Sequence, residues 1–162
     1  DFTGRSKVKY LNSPGERSLW GLDSQVLTTW CRQKLPVIHL SEGIFKALAI
    51  DRVLYEQKPY FPSPSLAMLG HSLTDVQLEQ LKEVKCKKVI IYPDPDRVGI
   101  EGALHVAEQL QKKYSVSVCW PPPRNHKQAD ELSDEELVSV LGQQQKLSWH
   151  LGMTMLAYAA RV

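Results

Sequence analysis

The sequence Val89-Ile90-Ile91-Tyr92-Pro93-Asp94-Pro95-Asp96-Arg97-Val98-Gly99-Ile100-Glu101-Gly102-Ala103 decides the fold. A β-branched apolar run stops at two aspartates, and a pattern typical of a helix follows. This predicts a strand, a loop and a helix, with Asp94 and Asp96 at the carboxyl end of the strand, where open α/β sheets bind ligands. Side chains two residues apart in an extended chain lie on the same side of it, so Asp94 and Asp96 would repel each other. A cation between them would relieve this repulsion, and oxygen ligands suit Mg²⁺ or Mn²⁺. A plain turn is the other interpretation of Asp-Pro-Asp taken alone.

A second unit of this kind begins at residue 37. The continuous apolar run Val37-Ile38-His39-Leu40 is typical of a buried parallel strand, and it ends in Ser41-Glu42-Gly43 before a predicted helix over 44–56. Gly43 is expected to give the backbone room for a sharp turn. On adjacent strands, Glu42, Asp94 and Asp96 would form a three-carboxylate cradle for one or two Mg²⁺ ions. Taken alone, Glu42 is also explained as an acid at a helix N-terminus, or as a general acid or base toward a hydroxyl group.

The rest of the chain alternates predicted strands and helices, which favours an α/β fold with a mostly parallel sheet flanked by helices. Capping patterns at Thr74 and at Ser133 with Glu136 mark two helix starts. The further predicted strands are 66–70 and 115–120, and the further predicted helices are 24–33, 74–84, 99–113, 133–141 and 145–161. We therefore expect a short basic N-terminal segment and helix (1–34), a core (35–142) and a C-terminal helix (143–162).

Composition sets few limits on function. The net charge of +2 and the pI near 8.4 permit nucleic-acid binding without indicating it. No apolar run reaches the roughly 18 residues of a membrane span, so a membrane is not expected as a partner. The three cysteines form no C-x-x-C pair, which indicates neither a zinc site nor a disulfide framework and makes the cytoplasm the default location. The five histidines show no ligand spacing and are interpreted as structural or surface residues. The start at Asp1 suggests a fragment of a longer protein.

The two acidic motifs together resemble those of the Toprim fold. Ser41-Glu42-Gly43 after one buried strand is similar to the family's Glu-Gly motif, and Asp94-Pro95-Asp96-Arg97-Val98-Gly99 with Gly102-Ala103 is similar to its Asp-x-Asp motif. The order and spacing match over roughly residues 35–140. The resemblance implies a Rossmann-like sheet, as found in DnaG-type primases, topoisomerases and OLD-family nucleases. It also implies metal-binding and catalytic roles for the three acids.

Three segments resemble DnaG-type primases in particular. Residues 9–14 with 19–22 are similar to the K-Y-L-N-S-P and Y-G-L segments that precede the primase core, and 94–99 is similar to D-G-D-R-A-G. Residues 127–132 are similar to K-D-P-D-E-L, which makes Asp130 a further implied metal ligand. The resemblance implies a DNA primase core that joins nucleoside triphosphates on a single-stranded DNA template with Mg²⁺ or Mn²⁺, and a replicative helicase is a candidate partner. Glu42 would complete the acidic site or assist deprotonation of the primer 3′-hydroxyl.

Basic residues in and near these segments, together with one asparagine, are the implied contacts to template or nucleotide. From composition alone the N-terminal segment is instead a solvated, positively charged stretch, and Arg97 is a partner for a neighbouring acid. Lysine and arginine side chains would neutralise phosphates. The implied contacts are Arg5, Lys7, Lys9, Asn12, Lys46, Arg97 and Lys127.

Two positions depart from the primase pattern. Lys46 stands where primases commonly carry an aspartate four residues after the glutamate, and Gln128 stands where a later aspartate is usual. Both changes remove negative charge from the site and indicate a divergent branch, such as a replication protein of a phage, plasmid or other mobile element. Two alternatives stay open: a Toprim nuclease that cleaves DNA or RNA with the same carboxylates, and a non-catalytic module that binds nucleic acid or a partner.

Overall fold

The computed structural model describes residues 16–22, 37–57, 64–84, 86–119, 127–146, 148, 153–154 and 157. The strands are β1 (Val37–Ser41), β2 (Ser65–Ala67), β3 (Lys88–Tyr92), β4 (Ser115–Val118) and β5 (Gln145–Lys146). The α-helices are α1 (Ile44–Gln57), α2 (Asp75–Glu83), α3 (Arg97–Leu110) and α4 (Asp134–Gly142), and a 3₁₀ turn spans Ala129–Glu131.

The five strands form one sheet in the order β2-β1-β3-β4-β5. The first four are mutually parallel, with Leu40 opposite both Leu66 and Ile91, and β5 alone runs antiparallel, against β4. The central strands β1 and β3 are buried almost throughout, as a continuous apolar run in a parallel sheet requires. The predicted mostly parallel α/β sheet is confirmed.

Alternate residues of the central strands supply two separate cores, because successive side chains of a strand point to opposite faces. Leu40 and Ile91 belong to the core that α2 and α3 cover, which also contains Leu81 and Val106. Ile90 and Tyr92 belong to the other core, against α1 and α4. Helices therefore lie on both faces of the sheet, which leaves the ends of its strands as the place for a site.

Two helices begin where the capping patterns predict. The Thr74 hydroxyl accepts a hydrogen bond from the Gln77 backbone N–H, and Ser133 does the same for Glu136, each with the reciprocal bond of a capping box. Gln77 is also fully buried and donates to the Met68 carbonyl at 2.7 Å. The cap of α2 is thus tied to the segment that follows β2.

The predicted C-terminal helix over 145–161 is wrong at its start. Gln145 and Lys146 form β5 instead, opposite Val118 and Ser117. Strand β4 would otherwise be an edge with unpaired backbone groups, and pairing with β5 satisfies them. Helical conformation recurs at residues 153–154 and 157. The predicted helix 24–33 and the basic residues 1–15 lie outside the described residues.

Other boundaries differ by a few residues. The strand predicted over 66–70 ends at Ala67, the strand predicted over 115–120 ends at Val118, and the helix predicted over 99–113 spans Arg97–Leu110. Such shifts are ordinary at the ends of elements.

The described part of the N-terminal segment, residues 16–22, packs on the core. Trp20 and Ala67 form an antiparallel bridge through two backbone hydrogen bonds, and Leu19 is buried in the same core as Leu66. Gly21 follows with φ +91°, a conformation that favours glycine. The boundary at residue 34/35 stays a prediction. Within the described ranges, no helix has the length and apolar character needed to cross a membrane.

Candidate acidic site

The two acidic motifs meet at one edge of the sheet. Strands β1 and β3 are parallel neighbours, with Ser41 opposite Tyr92, so the residues that follow both strands emerge together. Glu42 and Asp94 line the same small pocket there. The predicted juxtaposition of these two carboxyl groups is therefore present.

Asp94 is buried against a lysine. The Lys46 ammonium donates hydrogen bonds to both carboxylate oxygens of Asp94, at 2.5 Å to Oδ1, and each residue is 8% exposed. Lys46 reaches Asp94 because it lies in the first turn of α1, directly after the Glu-Gly motif. The residue that departs from the primase pattern thus provides the cation beside Asp94.

Glu42 lies between this pair and a histidine. Partial burial raises the pKa of the Glu42 carboxyl, and the negative charge of Asp94 raises it further, while His71 and Lys46 oppose the rise. His71 Nδ1 is 3.2 Å from Glu42 Oε2, and its side chain is half exposed. A carboxyl group with a raised pKa can accept or release a proton closer to neutral pH.

His71 is a site residue that the sequence interpretation missed, since all histidines were assigned to structure or surface. Its place beside Glu42 follows from the order of the strands, which the sequence alone does not give. His71 follows β2, and β2 is a parallel neighbour of β1, so the loop after β2 emerges at the same edge as Glu42.

Backbone contacts hold the His71 loop in place. The backbone N–H of Met68 donates to the Ser41 carbonyl and that of Leu69 donates to the Glu42 carbonyl, both at 2.9 Å. Leu69 has φ +58°, a conformation that is unfavourable for a leucine. Arg17 Nη1 donates to the Leu69 carbonyl at 2.9 Å and fixes that turn from the other side.

Two glycines of α3 let the helix approach the site closely. A Cβ at Gly99 would lie 2.5 Å from Asp94 Cβ, and a Cβ at Gly102 would lie 2.7 Å from the His71 carbonyl oxygen. Gly43 differs, because a Cβ there would meet nothing within 4 Å and its φ is not positive. The chain bends at Gly43, but neither its φ nor its surroundings require a glycine there.

Asp96 has a different position from Asp94. It is the exposed N-cap of α3, and its Oδ1 accepts a hydrogen bond from the Gly99 N–H at 2.7 Å. Asp96 therefore caps a helix, whereas Asp94 is engaged by Lys46. The catalytic and metal-binding roles of Asp96 stay predictions.

Asp130 lies exposed in the 3₁₀ turn Ala129–Glu131. Among the residues that the structure describes, no three His, Cys, Asp or Glu side chains converge to hold a metal ion. The oxygen donors Glu42 and Asp94 are of the right chemistry for Mg²⁺ or Mn²⁺, but Lys46 already engages both oxygens of Asp94. As arranged, the site fits an ammonium group and does not fit a divalent ion.

Two of the implied phosphate contacts, Arg97 and Lys127, lie beside acidic side chains. Arg97 Nε donates to Glu101 at 2.8 Å on the exposed face of α3, which is the pairing with a neighbouring acid that the sequence left open. Lys127 Nζ lies 3.5 Å from Glu136 Oε2. Arg5, Lys7, Lys9 and Asn12 lie outside the described residues.

Comparison with known proteins agrees with this architecture. The sequence model of the family described as Toprim-like matches residues 39–133, which is more than half of the chain and includes Glu42, Asp94 and Asp130. No curated protein matches the chain significantly.

Proposed function

The chain belongs to the Toprim-like family, and on that premise we propose that it is the core of a primase-type nucleotidyltransferase acting on single-stranded DNA and nucleoside triphosphates. The observation that carries the proposal is the meeting of Glu42 and Asp94 in one pocket at the carboxyl edge of adjacent parallel strands. The primase-like segments at 9–14, 94–99 and 127–132 add support.

In this proposal Glu42 handles the proton of the attacking 3′-hydroxyl. Its raised pKa suits it to accept a proton near neutral pH. The family pattern implies Mg²⁺ or Mn²⁺, but we assign no step to a metal because Lys46 occupies both oxygens of Asp94.

Binding of template and nucleotide is assigned to basic residues and to Asn12. Arg97, at the exposed start of α3, and Lys127 would contact phosphates, with the N-terminal residues Arg5, Lys7, Lys9 and Asn12 toward the template. A replicative helicase as partner and a cytoplasmic location are parts of the same proposal.

A priming assay tests the function directly. The full chain is incubated with single-stranded DNA, ribonucleotides or deoxyribonucleotides, and Mn²⁺ or Mg²⁺, and the products are separated on a denaturing gel. We expect new short oligonucleotides, lost in Glu42→Gln and retained in Glu79→Gln, which alters an exposed acid on α2. Shortened DNA with no new oligonucleotide would contradict this proposal and show that the protein is a nuclease.

The second candidate is a non-catalytic module that binds nucleic acid, and the buried Lys46–Asp94 pair favours it because the ammonium cancels negative charge that would hold a metal ion. Fluorescence anisotropy with labelled single-stranded DNA separates the two. Binding that survives Glu42→Gln, with neither synthesis nor cleavage by the wild type, would establish the second candidate.

A further inference from the structure

Lys46 is a buried charge in an acidic site. A buried ammonium is costly unless it is paired and hydrogen-bonded. Asp94 supplies both, since its two oxygens accept from Lys46 Nζ and both residues are 8% exposed. The position of Lys46 is thus set by the carboxylate, and Asp94 has no oxygen that this ammonium does not contact.

The charge of Lys46 acts on Glu42 as well as on Asp94. Burial and the neighbouring Asp94 raise the pKa of the Glu42 carboxyl, and His71 and Lys46 lower it, so the ammonium contributes with His71 to offsetting the repulsion between the two acids. A divalent cation between two carboxylates would have the same electrostatic effect. Lys46 therefore places a positive charge against Asp94 where a metal ion would otherwise place one.

We propose that the Lys46 ammonium is the resident cation of this site and excludes divalent cations from Asp94 and Glu42. A divalent ion can bind there only if Lys46 leaves Asp94, which would leave a buried ammonium without its partner. Removal of the lysine charge converts the same two carboxylates into a site for Mn²⁺. The inference does not rest on the proposed function, because it concerns metal binding without substrate.

Mn²⁺ binding to the full chain tests the proposal, measured by isothermal titration and by the electron paramagnetic resonance of free Mn²⁺. We expect Lys46→Gln and Lys46→Met to bind Mn²⁺ at least about tenfold more tightly than the wild type. Addition of Asp94→Asn to Lys46→Gln removes the gain. Mn²⁺ also raises the melting temperature of the charge-removed variants alone, as binding to the native state does.

Lys82→Gln is the matched control. It removes the same positive charge at a lysine that pairs with Glu79 on the exposed face of α2, away from the site. Equal Mn²⁺ affinity in the wild type and Lys46→Gln, or a gain that persists without Asp94, overturns the proposal. If circular dichroism shows that neither Lys46 variant folds, the proposal is tested by the melting temperature of the wild type with and without Mn²⁺. Its melting temperature stays unchanged in Mn²⁺ if the proposal holds, and a rise that Asp94→Asn abolishes contradicts it.

Discussion

At the scale of single residues, Gly43 and Gly99 both lie near the start of a helix beside the acids, but only Gly99 has no room for a side chain. A Cβ at Gly99 would lie 2.9 Å from Asp94 Cα and 2.9 Å from Asp94 N, which are backbone atoms that cannot move aside, whereas Gly43 faces open space. The sequence alone makes them look equivalent, because both follow an acid at a strand end. Only the packing of α3 on the Asp94 loop distinguishes them.

We expect Gly99→Ala to lower the free energy of unfolding by about 2 kcal/mol, because the added carbon is forced against that backbone. Gly43→Ala should change it by less than about 1 kcal/mol, since its φ is compatible with alanine. Urea denaturation of both variants measures the difference. Similar losses in the two variants would show that the close approach of α3 is not what requires glycine.

At the scale of elements, the sequence predicts the units whose signals are local. A β-branched run followed by an acid, as in β1 and β3, and a capping box, as at Ser133, need no information from elsewhere in the chain. Strand β5 escapes such a prediction because it exists only through its pairing with β4. The same holds for the contact of His71 with Glu42, which depends on β2 lying next to β1.

The central strand β1 also carries a buried histidine. Burial and the nearby charge of Lys88 lower the pKa of His39 to about 4. Between that value and its ordinary 6.5, the unfolded chain binds a proton that the folded chain does not. Stability therefore falls as the pH is lowered through this window, by up to about 3 kcal/mol.

We expect urea denaturation of the wild type at pH 7, 5.5 and 4.5 to show this loss. His39→Gln, which has no titratable group there, should lose less stability over the same range. Because other groups titrate in both proteins alike, the difference between the two curves isolates His39. Parallel curves would mean that His39 is already accessible to protons in the folded state.

At the scale of the whole molecule, the described N-terminal residues and the Toprim core form one packed body. Leu19 is 3% exposed within the core that α2 and α3 cover, and its backbone N–H donates to Gln80 Oε1 at 2.8 Å. The sequence placed a boundary at residue 34/35 from the change in pattern. It could not show that residues 16–22 return to the core, because their partners lie far along the chain.

We expect Leu19→Ala to lower the free energy of unfolding by about 3 kcal/mol, as the loss of a buried leucine does. The matched control is Leu48→Ala, at a leucine of α1 that is 46% exposed, with a change within about 0.5 kcal/mol. Denaturation followed by both fluorescence and circular dichroism should give one coincident transition. Two separate transitions would assign residues 16–22 to an independent unit.

The hydrogen bond from Arg17 to Leu69 has a consequence for chain entropy. It joins residues 52 apart, and the bond from Leu19 to Gln80 joins residues 61 apart. Loop closure costs entropy once for a set of contacts that share the same loop, and later contacts within it cost little more. The two bonds and the Trp20–Ala67 bridge therefore share a single closure cost. The Arg17 contact that supports the turn before His71 thus adds little further entropy cost once the other two contacts hold residues 16–22 on the core.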